Sequence, residues 1–175
     1  IDDHEATVLR LARGVGCPVL YDEDPDLGAL LMERLGPSMS SLGVAYEDRL
    51  PALCDAAARL WRPAPDVDLP STAAKADWLA EYVSATWRHL DRPCAESTID
   101  HAVACAERRR DAHDPGRRML LHGDVHQWNA LRSGDSWKLI DPDGLLGEPE
   151  YDLGVILRED PDEPGAADTW ADRKS

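Results

Sequence analysis

The chain has 175 residues, the size of one domain or of one large lobe of a two-lobed enzyme. Its 34 acidic and 19 basic residues give a formal net charge of −15, which argues strongly against nucleic acid or an anionic membrane as a partner. No apolar run approaches the roughly 20 residues of a membrane helix, and the four cysteines follow no metal or disulfide spacing, so we expect a cytoplasmic protein.

The first 35 residues predict a helix and a hairpin. Apolar residues recur at helical spacing over residues 4–13, and Gly14 ends that helix. Two short apolar runs, 19–21 and 29–32, flank a turn rich in Asp and Pro, which is typical of two connected strands.

Three helices with apolar stripes are predicted next. Ser71 or Thr72 caps the second of them, and Ser97 with Asp100 three residues later forms a variant of the capping box that opens the third. We expect the stripes of all three helices to face the core rather than a binding surface. The stripes cover residues 50–61, 78–90 and 99–106.

Short strands and loops dominate after Met119. A strand leads into the irregular segment 122–129, and a hairpin, a helix and an acidic loop with prolines follow. These elements cover residues 119–121, 130–131 with 137–140, 151–157 and 159–168. The sequence therefore predicts an α+β fold and excludes an alternating βαβ arrangement.

Three oxygen-bearing side chains form a candidate site for phosphoryl transfer. Asp124 and Asn129 are five residues apart on the irregular segment, and Asp141 ends a following strand. A tight loop and a strand end can bring them to one point, where they suit Mg²⁺ and nucleotide phosphates better than zinc. Because the protein mainly positions reactants in such reactions, we assign Asp124 as the base and Asn129 and Asp141 as metal ligands.

Residues 122–129 read His-Gly-Asp-x-His-x-x-Asn, which resembles the catalytic loop of the aminoglycoside-phosphotransferase and choline-kinase group. Asp141 lies where that superfamily has its metal-binding aspartate, and residues 147–153 resemble the segment that follows. Within the group, the chain is most similar to the streptomycin 6-kinase and hydroxyurea phosphotransferase family. The segments that support this similarity are residues 4–6, 28–35 and 140–144. The resemblance implies a protein-kinase-like fold that uses ATP and Mg²⁺.

The resemblance also implies residues that bind the nucleotide. Residues 32–35 look like the hinge between two lobes, so the Glu33 carbonyl and the Leu35 N–H would bind adenine. Glu5 resembles the helix glutamate that pairs with the phosphate-binding lysine. A glutamate in a first helical turn also favours the helix dipole, so a purely structural role stays open.

Further residues are implied to support the loop rather than to react. His122 resembles a residue that braces the loop, and Asp152 resembles one whose accepted hydrogen bonds hold it. His126 is interpreted as structural, with a position near the substrate as the alternative. Trp128 is interpreted as a packing residue.

The chain departs from the family in three respects. It starts at Ile1 just as a helix begins, and no lysine precedes Lys75. We therefore expect residues 1–35 to be a remnant of the N-terminal lobe and residues 36–175 to be the C-terminal catalytic lobe, truncated at its end. The polypeptide alone is expected to have little kinase activity. Asp143 stands where close relatives often carry Lys, and this reversed charge could alter metal affinity or acceptor preference.

The expected function is transfer of the γ-phosphoryl group of ATP to a hydroxyl of a small molecule. Residues 141–172 contain eleven acidic residues and one basic residue, which form either a solvated face or a field that attracts a cationic acceptor such as streptomycin. Hydroxyurea or another small metabolite is the alternative acceptor. Two other classes stay open: a non-catalytic kinase-like binding module, and a metal-dependent phosphoesterase, although the latter needs histidines that are missing after His126.

Overall fold

The structure, a computed structural model, describes residues 3–63 and 66–158. Five α-helices and three two-stranded antiparallel sheets give this part of the chain an α+β fold, as predicted. The helices are α1 (Asp3–Ala12), α2 (Tyr46–Leu60), α3 (Thr72–His89), α4 (Glu96–Asp111) and α5 (Glu150–Ile156). The strands are β1 (Leu20–Asp24), β2 (Ala29–Met32), β3 (Met119–Leu121), β4 (Ala130–Ser133), β5 (Ser136–Leu139) and β6 (Leu145–Gly147). No described helix is long and apolar enough to cross a membrane.

The strands pair as three separate ribbons. The two predicted hairpins are confirmed, since β1 pairs with β2 and β4 pairs with β5. The third ribbon joins β3 to β6, with Leu121 opposite Leu145, and was not expected because β6 has only three residues. This pairing places β6, which follows Asp141, beside the strand that leads into the 122–129 segment. The acidic loop predicted over 159–168 lies outside the described residues.

The hydrophobic core lies where α1 and α2 meet β3 and β5. The helical spacing of Leu53, Ala57 and Leu60 places all three on the buried face of α2. The fully buried side chains include Val8, Leu9, Met39, Leu60, Leu120 and Leu139. Met39 also fixes the main chain after β2, because its N–H donates to the Ala130 carbonyl at 2.8 Å. The core therefore supports both ends of the 122–129 segment.

Helices α3 and α4 form a hairpin at the side of the core. The predicted cap of α3 is Ser71, whose side chain accepts a hydrogen bond from the Ala74 N–H at 3.1 Å. The capping box predicted at Ser97 and Asp100 is wrong. Helix α4 begins at Glu96 after Ala95, so both residues lie inside the helix and no side chain caps it.

The expectation that the α3 and α4 stripes face the core is also wrong. No residue of α4 is buried, and Trp78 and Tyr82 of α3 are about half exposed. The two helices pack mainly against each other, and α3 also contacts β6 through its first turns. Trp78 and Tyr82 instead stack on one another, with ring centroids 4.9 Å apart.

Candidate active site

The segment from His122 to Asn129, called loop 122–129 below, connects β3 to β4 and is held by a buried histidine. The Nε2–H of His122 donates to the Ile140 carbonyl at 3.0 Å, and its Nδ1 accepts from the Asp124 N–H at 3.3 Å. Burial lowers the pKa of His122, so the ring is neutral and keeps this pattern of one donor and one acceptor. The histidine thus joins the loop to the residue that precedes Asp141.

The buried side chain of Asp152, in α5, holds the other side of the same loop. Its carboxyl group accepts hydrogen bonds from the His122 N–H at 3.1 Å, the Gly123 N–H at 2.8 Å and the Trp61 indole N–H at 2.8 Å. Gly123 has a φ of +91°, and a Cβ there would lie 2.8 Å from the Cβ of Asp143. Only glycine fits this turn without strain.

Asp124, which follows Gly123 in loop 122–129, has a partly exposed carboxylate. Oδ2 lies 3.1 Å from His126 Nε2, and Oδ1 lies 3.4 Å from the guanidinium of Arg158. The hydrogen bond from His126 lowers the pKa of Asp124 against the opposing effect of partial burial, and the charge of Arg158 adds to the lowering. Asp124 is therefore ionised at neutral pH and able to accept a proton.

Loop 122–129 brings Asn129 beside Asp124, and the chain before Asp141 lies next to Asn129. Asn129 Nδ2 donates to the Asp124 carbonyl at 3.2 Å and lies 3.5 Å from its Oδ2. The Asn129 carbonyl accepts from the Ile140 N–H at 2.9 Å, so Asp141 follows directly. Asp141 has a φ of +58°, which aspartate tolerates better than most residues, and its side chain is exposed.

Acidic side chains gather around Asp141. Burial and the neighbouring Asp141 raise the pKa of Glu5 in α1, and Glu5 has no ion pair with a lysine among the described residues. Asp143 stands where close relatives often carry Lys, and its Oδ2 lies 3.2 Å from Lys75 Nζ. The ammonium group of Lys75 therefore offsets the negative charge of Asp143. Asp141 and Glu5 are therefore close enough for each carboxyl group to disfavour the charge of the other.

The predicted hinge residues follow β2 at the edge of the core. The Glu33 N–H donates to the Val19 carbonyl at 2.8 Å, while its carboxylate accepts from the Val19 N–H at 3.0 Å and pairs with Lys138 of β5. Among the described residues, the Glu33 carbonyl and the Leu35 N–H enter no main-chain hydrogen bond. Both groups can therefore bind a ligand.

The profile of the aminoglycoside/hydroxyurea antibiotic resistance kinase family matches residues 2–173, nearly the whole chain. The chain belongs to this family. This match confirms the family that the resemblance of residues 122–129 and Asp141 indicated.

Individual relatives of the kinase family agree with this assignment. The chain is 35% identical over 155 residues to a streptomycin 6-kinase of Streptomyces glaucescens, covering 86% of this chain and 49% of that protein. It is 32% identical over 146 residues to a streptomycin 3''-kinase of Klebsiella pneumoniae, covering 79% and 50%. It is 34% identical over 154 residues to a hydroxyurea phosphotransferase of Kitasatospora aureofaciens, covering 85% and 44%. The chain spans about half the length of the curated relatives it matches.

Sequence reasoning missed several contacts of this candidate site. Trp61 donates to Asp152 across 91 residues of chain, and Arg158 reaches Asp124 across 34 residues. Trp128, interpreted as a packing residue, is 46% exposed and meets the His126 ring edge-on at 5.5 Å, so it packs only partly. The acidic segment 159–175 and any contact it makes lie outside the described residues.

Proposed function

We propose that the protein transfers the γ-phosphoryl group of ATP to a hydroxyl of a small molecule, and that this acceptor is an aminoglycoside of the streptomycin kind. The observation that carries the proposal is the meeting of Asp124, Asn129 and the strand end before Asp141 in a chain of a kinase family. In this proposal residues 1–35 belong to the N-terminal lobe and hinge of a protein-kinase-like fold, and residues 36–175 to its helical C-terminal lobe. The main-chain groups of Glu33 and Leu35 would bind adenine.

In the proposed reaction Asp124 is the general base. The acceptor oxygen forms a bond to the γ-phosphorus, the bond from that phosphorus to the bridging oxygen breaks, and ADP leaves with the electron pair. The proton of the acceptor hydroxyl passes to the Asp124 carboxylate, which His126 orients through its 3.1 Å hydrogen bond. His122 and Asp152 hold the loop without touching the reacting atoms, and no covalent enzyme intermediate forms.

The donor set fits Mg²⁺ bound together with the nucleotide. Asn129 directs its Nδ2 toward Asp124, which leaves its amide oxygen for a ligand, and the Asp141 carboxylate is exposed. Within the described residues, no group of three or more His, Cys, Asp or Glu side chains is arranged to hold a metal. Asn129 and Asp141 would therefore hold the ion jointly with phosphate oxygens, and the ion would neutralise charge on the phosphates.

The acceptor class rests on relatives and on charge. Two of the relatives described above are streptomycin kinases and one is a hydroxyurea phosphotransferase. The net charge of −15 favours a cationic acceptor, because a negative field raises the local concentration of cations. Hydroxyurea, which is neutral, is the alternative acceptor.

The test uses the full-length polypeptide encoded by the gene, labelled ATP, and streptomycin or hydroxyurea. We expect phosphorylation of one of them, with a kcat that falls by about 10²–10⁴ in Asp124→Asn because the general base is lost. Nucleotide affinity should stay within about twofold, since Asp124 is not a nucleotide ligand in this proposal. Asp135→Asn is the matched control, because Asp135 is fully exposed on the β4–β5 turn. Wild-type turnover in Asp124→Asn would remove Asp124 from the mechanism.

A further inference from the structure

Both oxygens of the Asp124 carboxylate have partners from within the chain. Oδ2 lies 3.1 Å from His126 Nε2 and 3.5 Å from Asn129 Nδ2, and both donors belong to loop 122–129. Oδ1 lies 3.4 Å from the guanidinium of Arg158, which follows the end of α5. One edge of the carboxylate is therefore fixed by its own loop, whereas a side chain from a different element covers the other edge.

Arg158 is the partner that can leave Asp124 most easily. Its side chain is 66% exposed, whereas those of Asp124 and His126 are 32% and 24% exposed. Its contact of 3.4 Å is long for a charge-assisted hydrogen bond, and exposed ion pairs contribute little to stability. Moving Arg158 away would leave the contacts from His126 and Asn129 intact.

A cavity of about 250 Å³ lies beside this carboxylate, between α2, loop 122–129 and the end of α5. Tyr46 and Trp128 line it together with His126 and Arg158, the two residues that pair with Asp124. Asp124 itself does not line the cavity in the described part of the chain. A molecule in the cavity therefore meets both side chains that pair with Asp124, and Arg158 is the one on Oδ1. One small hydroxyl compound, or one ring of a larger one, suits this volume.

We propose that Arg158 is a specificity-determining residue of the acceptor site, which holds the Oδ1 edge of Asp124 until an acceptor hydroxyl takes its place. The inference rests on the proposed function, since that function makes Asp124 the base. An acceptor can offset the lost ion pair through its own contacts with the cavity, whereas a water molecule has no such contacts. Arg158 thus favours transfer to a bound acceptor over hydrolysis of ATP.

The test compares Arg158→Ala with the wild type in the full-length polypeptide, using whichever of streptomycin and hydroxyurea the wild type phosphorylates. We expect ATP hydrolysis without acceptor to rise, and the acceptor KM to fall, each by about two- to fivefold, the change that an exposed ion pair can produce. The kcat with acceptor should stay within about twofold, because Arg158 has left Asp124 before the chemical step. Arg158→Lys keeps the positive charge, so its rate of ATP hydrolysis and its acceptor KM should lie between those of the wild type and Arg158→Ala.

Arg88→Ala is the matched control, since Arg88 is an exposed arginine of α3, and it should behave as the wild type does. Unchanged hydrolysis and KM in Arg158→Ala would overturn the inference. A loss of kcat of about tenfold or more would overturn it as well, because Arg158 would then contribute to the transition state. Arg158→Gln repeats the comparison if Arg158→Ala has a lowered melting temperature. A wild type that phosphorylates neither acceptor would refute the proposed function instead, so the two failures are distinguishable.

Discussion

Asp152 is a single side chain on which two distant parts of the chain depend. It is fully buried, and burial of a carboxyl group is costly unless donors surround it. The main chain of His122 and Gly123 and the indole of Trp61 supply three such donors. These hydrogen bonds connect α5 and the end of α2 to loop 122–129, so the position of Asp124 depends on a buried residue of another element.

Replacing Asp152 with Asn keeps the volume but turns one acceptor oxygen into an NH₂ group that faces an N–H donor. We expect the free energy of unfolding, measured by urea denaturation, to fall by about 2–4 kcal/mol. Trp61→Phe removes one of the three donors and is expected to cost about 1–2 kcal/mol. Equal losses in the two variants would show that the main-chain donors do not depend on Asp152.

Spacing in the sequence placed together only residues that are close in the chain, whereas the role of Asp152 was implied by the resemblance to the family. Asp124 and Asn129 share one loop, so their spacing alone placed them together. Arg158 and Trp61 contact the same site from 34 and 91 residues away, and neither stands in a local pattern that indicates its role. Such contacts are set by how α2 and α5 pack, which spacing in the sequence does not record.

At the scale of elements, an ion pair joins the end of β2 to β5. Glu33 follows β2, and Lys138 lies in β5 next to the fully buried Leu139. Both side chains are mostly covered, at 24% and 17% exposure, so solvent screens the pair only partly. The hydrogen bond from Lys138 lowers the pKa of Glu33 from its usual value of 4.5. The ion pair therefore holds the predicted hinge against the strand that leads to Asp141.

The lowered pKa of Glu33 predicts how this ion pair depends on pH. Its stabilising contribution is complete above the unfolded-state pKa and is lost as the pH falls through the lower, folded-state pKa. We expect Glu33→Gln to be less stable than the wild type by about 1–2 kcal/mol at pH 7, with the difference shrinking as the pH falls below the usual pKa of 4.5. Chemical denaturation at a series of pH values from 7 downward measures it. Lys138→Met should show the same loss at pH 7, and a Glu33→Gln difference that does not shrink as the pH falls would contradict the assignment.

Helix periodicity predicted the existence of α2, α3 and α4 but not their surroundings. The stripe of α2 is buried because β3 and β5 lie against it. The similar stripes of α3 and α4 meet each other, and α4 buries no residue. Periodicity indicates that a helix has an apolar side without indicating what covers that side, which is why the core prediction succeeded for α2 and failed for α3 and α4.

At the scale of the whole molecule, a buried carboxylate connects the α3–α4 hairpin to the rest of the fold. Glu148, in the turn between β6 and α5, is 5% exposed. It accepts hydrogen bonds from Thr72 Oγ1 at 3.0 Å and from the Asp114 N–H at 2.9 Å, and it contacts His113 Nδ1 at 3.1 Å. Arg109 lies 3.7 Å away. These partners lie at the start of α3 and at or after the end of α4, so one side chain gathers both ends of the hairpin.

The neighbour of Glu148 shows how closely the hairpin approaches the core. A Cβ at Gly147 would lie 2.2 Å from the side chain of Thr72, so only glycine permits this contact. The approach places Glu148 one residue beyond β6, where it can reach Thr72, and four residues before Asp152. The attachment of the hairpin and the support of loop 122–129 therefore depend on the same short turn.

If Glu148 anchors the hairpin, its loss should loosen α3 and α4 selectively. Glu148→Gln keeps the shape of the side chain but replaces one acceptor oxygen with an NH₂ group, which faces other donors. The loss of hydrogen bonding is expected to cost about 1–2 kcal/mol. We expect amide hydrogen exchange in α3 and α4, followed by mass spectrometry, to become roughly 5- to 30-fold faster, while exchange in β4 and β5 stays unchanged. Thr72→Val removes one of the same bonds and should give a smaller change in the same helices. Equal acceleration along the whole chain would mean that Glu148 stabilises the fold globally, because a local anchor affects only the unit that it holds.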